Sequence, residues 1–524
     1  MLMGLSSTTC AACGTSTVPD ASFCGGCGVT LPTETPADAP APTLVTLPGP
    51  RQPLAAPRWG GGKDVTRYLC AAAYLDREYA DSLVEQVASE PHLGVAPSPA
   101  CDISLVLRHA YYAMVRRHSR DLLLAVLLVL LLVFLFAGAP SLLVLLVLVM
   151  AWAVVFGFEM STRYGRHLQS LRPGEFDLRN APPAPNPAAE ERIRALSGYA
   201  DGNTTVYSGY SPFVGHGEQT DSWSFSLDLK RTGDLGEVPG GFDVRELYAH
   251  VTRRLQELTL PGLEFEERVF VDGDAVIDDR RFLPDPFGRP SAAVPPELVD
   301  QLKREPEDRA RTYLAVHATG WQGDLVTSFF LRFARSDSSL LVEGVHTVLC
   351  PLRERYRMID SLMPGPTFGE VVAQLVESVV ATLIALVAAP FRAVSGFLSE
   401  FRLRRRVRRQ DKRIRDLRVF DYGARLSVRQ QASDSNYHRY FQKFDSAVLL
   451  RVCERRALDA LVEFAEERGI DVGDLVRNQR TIVNNGIIAT NGANVHGSSV
   501  ASGERSWAFT EVIKETVSSV RNKI

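Results

Sequence analysis

The segment LLLAVLLVLLLVFLFAGAPSLLVLLVLVMAWAVVFGF, residues 122–158, runs for 37 positions without a charged side chain. Pro140 divides it into 122–139 and 141–158. About 20 apolar residues span the hydrocarbon core of a bilayer, so each half is slightly short for a span and the whole is too long for one buried helix. The small-residue break Ala137-Gly138-Ala139-Pro140-Ser141 suits a tight turn. The reading is a helical hairpin that crosses a membrane twice.

Both flanks of the hairpin are basic. Arg108, Arg116, Arg117 and Arg120 precede it, and Arg163, Arg166 and Arg172 follow it. Positive flanks stay cytoplasmic. Two crossings between two basic ends predict a multi-pass protein of the cell membrane with both termini in the cytoplasm. Residues 1–51 contain no apolar segment, so the first span is expected to act as the insertion signal. A net charge of −3 over 524 residues implies no global attraction to nucleic acid. The spans hold no ionisable residue to line a transport path.

Four of the eight cysteines form one motif. Cys10-Ala-Ala-Cys13-Gly14 and Cys24-Gly-Gly-Cys27-Gly28 are two C-x2-C pairs separated by ten residues. Each pair can form a knuckle, with the following glycine permitting the turn. Four thiolates give the closed tetrahedral set of a structural zinc site, so Cys10, Cys13, Cys24 and Cys27 are the expected Zn2+ ligands. A module of this size has too small a core to fold alone, and metal binding would supply its stability. No lysine or arginine occurs before Arg51, which argues against nucleic-acid contact by the ribbon. The scattered Cys70, Cys101, Cys350 and Cys453 read as plain buried thiols.

The rest divides by composition. The zinc ribbon occupies 1–29 and a Pro/Ala-rich linker 30–62. A helical cytoplasmic segment follows at 63–120, with Asp81 or Ser82 placed to cap its second helix, and then the hairpin at 121–159. Beyond a Pro-rich linker at 181–187, strand patterns at 204–210, 222–229, 265–271, 311–319, 325–334 and 339–349 predict an α+β module over 188–357. Its sheet is expected to be antiparallel, its last three strands a meander, and its helices to lie at 244–257 and 297–304. Asp272, Asp274, Asp278 and Asp279 cluster, but Asp272-Gly273 is a hairpin-turn signal and no calcium-loop ligand pattern follows. The glycine-rich 209–217 lacks the lysine of a phosphate loop. His216, His250, His317 and His346 stand without metal spacing.

A third apolar stretch, 371–391, is interrupted by Gln374, Glu377, Ser378 and Thr382. Its part free of charge and amide, 379–391, suits an interfacial helix better than a span. Residues 402–418 then hold ten Lys/Arg against Asp411 and Asp416. The 367–420 region is therefore expected to be an amphipathic helix on the inner leaflet. Arg402, Arg404, Arg405, Arg406, Arg408, Arg409, Lys412 and Arg413 would lie against anionic lipid. A helical segment is expected at 421–480, and an Asn/Gly-rich, β-prone tail with a terminal helix at 481–524. That tail could pair in register with copies of itself.

Thr66-Arg-Tyr-Leu-Cys-Ala-Ala-Ala-Tyr-Leu75, Gly209-Tyr-Ser-Pro-Phe-Val-Gly215 with Trp223-Ser-Phe-Ser-Leu-Asp-Leu229, and Phe282-Leu-Pro-Asp285 with Arg289-Pro290 resemble a group of uncharacterised actinobacterial, Streptomyces-like membrane proteins. Many of these carry an N-terminal zinc ribbon. The likeness covers roughly residues 1–350; it implies an architecture and no catalytic residues. The tail resembles amyloid-type signalling motifs without their repeats. The function expected is a non-enzymatic integral membrane protein with cytoplasmic scaffold or signalling modules. Its partners would be membrane lipid and other proteins or itself. The alternative is a membrane-anchored enzyme or transport-complex subunit with a site in 188–357.

Overall fold

The computed structural model describes residues 62–199, 201–231, 241–473, 475–477 and 479, with the backbone of 8–9 and 16–17. The chain divides into two compact units, Met1–Pro53 and Leu54–Ile524. In the first, β1 (Thr8–Thr9) and β2 (Ser16–Thr17) pair antiparallel. The four ribbon cysteines, the linker at 30–61 and the tail at 481–524 lie outside the described residues.

The second unit begins with α1 (Gly62–Leu75) and α2 (Arg77–Ser82), which runs into a π-helical turn at Leu83–Ala88. The cap of α2 is Asp76, whose carboxylate accepts from the Tyr79 amide; neither Asp81 nor Ser82 starts a helix. Helix α3 (Ile103–Phe136) is a single rod of 34 residues, about 50 Å long at 1.5 Å per residue. Its first half is packed in the soluble core, while Leu122, Leu123, Val126, Val129 and Val133 in its second half are exposed. The turn at Ala137–Pro140 reverses the chain into α4 (Ser141–Arg163), with Gly138 at φ +64°. Arg116 donates to the Phe158 carbonyl and Arg120 pairs with Glu159, which sets the inner ends of the two helices level. The short α5 (Arg166–Gln169) and α6 (Pro187–Ser197, capped by Asn186) follow.

Six strands build one sheet: β3 (Thr204–Tyr207), β4 (Glu218–Asp228), β5 (Leu263–Asp272), β6 (Ala310–Gly320), β7 (Leu325–Arg335) and β8 (Ser339–Leu349). Their order is β3-β5-β6-β7-β8-β4. The β6-β7-β8 meander is as the sequence predicts. The expectation of a purely antiparallel sheet is corrected: β3 runs parallel to β5, so the sheet is mixed. The cause is the 208–217 loop, which carries the chain from one edge of the sheet to the other. Gly217 (φ +90°) permits this, since a Cβ there would lie 2.1 Å from the Val348 carbonyl oxygen.

Alternation along the strands assigns the two faces. Leu314, Val316, Phe329, Leu331 and Val342 face α7 (Val244–Gln256) and α12 (Tyr440–Glu467), which supply Leu247, Val251, Leu450, Leu461 and Phe464. Burying each such side chain contributes about 1.5–3 kcal/mol. The opposite face carries Phe270, Tyr313 and Phe330, covered by Phe213 of the 208–217 loop. Helix α8 (Pro296–Arg304) closes a third cluster with Val269 and Val271.

A further core gathers residues from far apart in the chain. Leu69, Val106 and Ala110 precede the hairpin, Leu168, Leu171 and Ile193 follow it, and Tyr356, Ile359, Val428 and Ala432 come later still. Polar ties reinforce it. Asp76 takes bonds from Arg353, Arg355 and Tyr356. Fully buried Arg429, in α11 (Val428–Ala432), donates to the Pro99, Gly323 and Asp324 carbonyls. Burial lowers the Arg429 guanidinium to about 10, with Asp324 opposing the shift. The segments at 63–120, 188–357 and 421–433 are thus one packed body.

Candidate functional site

Three described helices, α3, α4 and α9 (Phe368–Phe397), are long and apolar enough to cross a membrane. Helix α9 begins with a capping box in which Thr367 and Glu370 satisfy each other's amides. Sequence reasoning read Gln374, Glu377, Ser378 and Thr382 as interruptions of its apolar stretch. The structure places Gln374, Ser378 and Thr382 on the buried side of one 30-residue helix and leaves Glu377 exposed. Ser378 accepts from the Trp152 indole of α4 at 2.8 Å, and Thr382 bonds back to the Ser378 carbonyl. These three polar interruptions therefore point at the hairpin. Val376, Val380, Leu383, Ile384, Val387 and Phe391 are exposed on the other side.

Both ends of α9 meet the same end of the hairpin. Near its start, Glu370 accepts from the Tyr164 hydroxyl just past α4, and the Met363 carbonyl accepts from Gln169. Near its finish, Gly396 lies against the His118 ring of α3, so close that a Cβ would sit 2.2 Å from Nδ1. Between them, Ala385, Leu386 and Ala389 join a cluster with Leu124, Ala151 and Val155. A helix of about 45 Å whose two ends return to one level lies across the hairpin rather than along it.

Helix α10 (Ser399–Leu417) follows after one residue, so the single amphipathic helix expected over 367–420 is two helices. Leu403, Val407, Gln410 and Ile414, spaced for one face, turn toward the body, and Ile414 enters the cluster beneath α8. Arg406 and Gln410 both bind the buried Glu90 carboxylate, at 2.7 and 2.8 Å. Asp411 accepts from His92 at 2.9 Å. Arg406 is thus tied to the protein, and Arg404 leans on Glu400 at 3.8 Å. Arg402, Arg405, Arg409, Lys412 and Arg413 are exposed on the remaining face, and Arg408, also exposed, sits at its edge toward α6. Five of the eight expected lipid-facing cations are therefore outward, one faces α6 and two are engaged by carboxylates.

The expected zinc ligands Cys10, Cys13, Cys24 and Cys27 lie outside the described residues. Among the described residues no group of three or more His, Cys, Asp or Glu is placed to hold a metal ion. Asp272 caps its own turn, Asp278 pairs with Arg418, and Asp279 binds Arg281, which also reaches Glu307. The four scattered cysteines are free thiols; burial raises Cys350 to about 11 and Cys453 to about 12.

Sequence reasoning missed two buried polar groups. On one sheet face, the Ser328 hydroxyl, the His317 ring and Glu266 form a row at 2.7 and 2.9 Å. Arg268 closes it, with bonds to Glu266 at 2.6 and 3.0 Å and to Thr205 and the Gly202 carbonyl. Burial pushes the Glu266 carboxyl up, but Arg268 and His317 outweigh it and hold the group far below its ordinary range. His216 stacks on His317 at 5.4 Å, and burial then Arg268 keep it neutral. The order of a nucleophile, a base and an acid is present, yet no member exceeds 4% exposure, so the row is a core network closed to substrate. On the other face, Glu454 accepts from the Trp223 indole and lies 3.4 Å from His346. The sequence signal was available: single polar residues at inward positions of otherwise apolar strands.

Residues 222–496 match the model of a family described as the AbeC-like domain. The match covers just over half of the chain. The chain belongs to the AbeC-like family. The AbeC-like domain includes five strands of the sheet, α9, α10 and α12, while α3 and α4 precede it. No curated protein and no solved structure matches the chain.

Proposed function

We propose that this chain is a non-enzymatic membrane protein that holds its AbeC-like domain against the inner membrane surface as a scaffold or signalling platform. The observation that carries the reading is the shared core. Residues before and after the hairpin, and before and after α9, pack into one cluster. One packed core cannot straddle a bilayer. The chain must therefore cross an even number of times between Ala113 and Leu168, and again between Ile359 and Val428. Helices α3 and α4 supply two crossings in the first interval. A single crossing by α9 in the second would leave Val428 and Ala432 on the wrong side of their own core. Helix α9 instead lies across the hairpin at the inner side, its exposed apolar residues toward lipid.

Helix α10 supplies the matching charge. Its outward cations follow the end of α9 directly, where a negatively charged leaflet attracts basic segments. The basic flanks of the hairpin set this side as cytoplasmic. The ribbon, with one structural zinc on Cys10, Cys13, Cys24 and Cys27, would add a second module for protein partners or self-association.

The test is accessibility labelling of single cysteines at residues 60, 300, 365, 425 and 524 in intact cells. All five should be shielded from an impermeant reagent and react once the membrane is opened. Labelling of residue 425 but not 365 from outside would make α9 a third span and overturn the topology.

A further inference from the structure

Between α6, α10 and residues 88–91 lies a groove of about 760 Å³. Arg192, Arg289, Arg404 and Arg408 line it, against Glu191 and Glu400. The charge is not balanced within the groove. Glu400 is committed to Arg192 at 3.2 Å and to Arg404 at 3.8 Å. The Arg289 guanidinium donates only to neutral carbonyls, those of Leu93 at 2.9 Å and Val87 at 3.2 Å. The nearest buried acid, Glu90, is taken by Arg406 and Gln410. A half-buried cation without a carboxylate, beside an exposed one on α10, is a binding arrangement for an anion that comes from elsewhere.

Apart from Ser89 and Tyr199, the rest of the lining is apolar, including Ala88, Pro91, Leu403 and Val407. Its position is equally specific. Leu403 and Arg404 lie about two turns beyond Phe397, roughly 10 Å along the helix, and both Phe397 and Phe401 are exposed. An apolar anchor, then a mixed groove with excess positive charge, reproduces the profile of a phospholipid from acyl chain to phosphate.

We infer that the groove between α6 and α10 holds the phosphate headgroup of an anionic phospholipid. Arg289 and Arg408 would take the phosphate oxygens, and Leu403 and Val407 the glycerol end. The outward face of α10 would supply only diffuse attraction to the leaflet. This inference rests on the inner-leaflet placement of α10 given above.

The experiment uses the full-length protein in nanodiscs of neutral lipid and titrates in fluorescent phosphatidic acid. Binding should saturate. Arg408→Gln should weaken it at least tenfold, whereas Arg405→Gln, which removes the same charge from the outward face, should weaken it less than twofold. Arg289→Gln should match Arg408→Gln; if it impairs folding, the exposed Arg408 carries the test alone. Inorganic phosphate and glycerol phosphate at millimolar concentration should not displace the lipid. Displacement by either would assign the groove to a soluble phosphate compound and overturn the lipid assignment. Equal losses for Arg405→Gln and Arg408→Gln would overturn the groove while leaving α10 as a charged surface. Saturable binding together with equal attachment of α10 to neutral and anionic vesicles would overturn the surface reading and spare the groove.

Discussion

Neutralising four cations on the outward face of α10 should weaken its attachment to anionic membrane by nearly 10³-fold without disturbing its seat on the protein. Arg402, Arg405, Arg409 and Lys412 are exposed and make no ion pair among the described residues, whereas Arg406 holds Glu90 and Arg404 touches Glu400. Changing the first four to glutamine removes four charges and no contact. Near an anionic leaflet each basic residue contributes about 1 kcal/mol, so the loss is about 4 kcal/mol, or nearly 10³-fold in the partition constant. The assay is partition of a peptide spanning 365–420 into vesicles with and without phosphatidylserine, at two salt concentrations. The parent peptide should favour the anionic vesicles and lose that preference as the Debye length falls from about 10 Å at 0.1 M to about 3 Å at 1 M. The variant should keep a much smaller preference, carried by Arg404, Arg406, Arg408, Arg413, Arg415 and Arg418, and its binding to neutral vesicles through the apolar face around Val380, Ile384 and Val387 should be unchanged. A loss of less than tenfold on anionic vesicles, or equal binding of the parent peptide to both, would refute the reasoning and make this face a protein contact.

Burial raises the Glu454 carboxyl to about 7 and lowers the His346 ring to about 4. A raised carboxyl stabilises the fold below its unfolded value, and that contribution fades as pH climbs to about 7. The lowered histidine acts in the opposite sense, with stability lost as pH falls from about 6.5 toward 4. The two slopes oppose each other in the parent protein, so Glu454→Gln should leave stability rising between pH 4 and 6.5, and His346→Gln should leave it falling between 4.5 and 7; denaturation midpoints against pH decide. Glu266→Gln leaves Arg268 buried without its acid and should cost about 3–5 kcal/mol, while paired apolar replacement of both should cost less; a mild single variant in thermal unfolding would mean that the pair is hydrated. The purified chain should carry about one zinc, and Cys24→Ser should release it; a zinc-free preparation that keeps its N-terminal unit folded would remove the ribbon.

The local elements were legible because their periods are. Leu247, Val251 and Leu255 mark α7, and the β-branched and aromatic residues of 325–334 between turn signals mark β7. The charge-free run of 122–158 announces the α3–α4 pair. Pairing across distance was not legible. The parallel contact of β3 with β5 joins Val206 to Val271, and nothing local in either strand states a direction. The core that unites Leu69 with Tyr356 and Val428 is likewise invisible in any window. The Glu266–His317–Ser328 row fails for the same reason: its members are neighbours only through the β5-β6-β7 register. The cations of α10 were visible as a group, but their division was not. Arg406 turns inward because Glu90, more than 300 residues earlier, lies under it.

That long-range core also explains why α9 carries polar residues at all. A helix that faced only lipid would gain nothing from Gln374, Ser378 and Thr382, and one that spanned alone would be weakened by them. Against α4 they become specific, because the Trp152 indole must donate to an oxygen at the depth where Ser378 lies. The AbeC-like domain thus contains a membrane helix whose inner face is complementary to a hairpin lying outside that domain. Loss of the hairpin would leave Ser378 and Ala389 facing lipid tails and the core around Tyr356 open, so the domain and its anchor form one folding unit. Both ends of α9 are fixed to that one body, at Tyr164 and at His118, so α9 cannot shift without the hairpin.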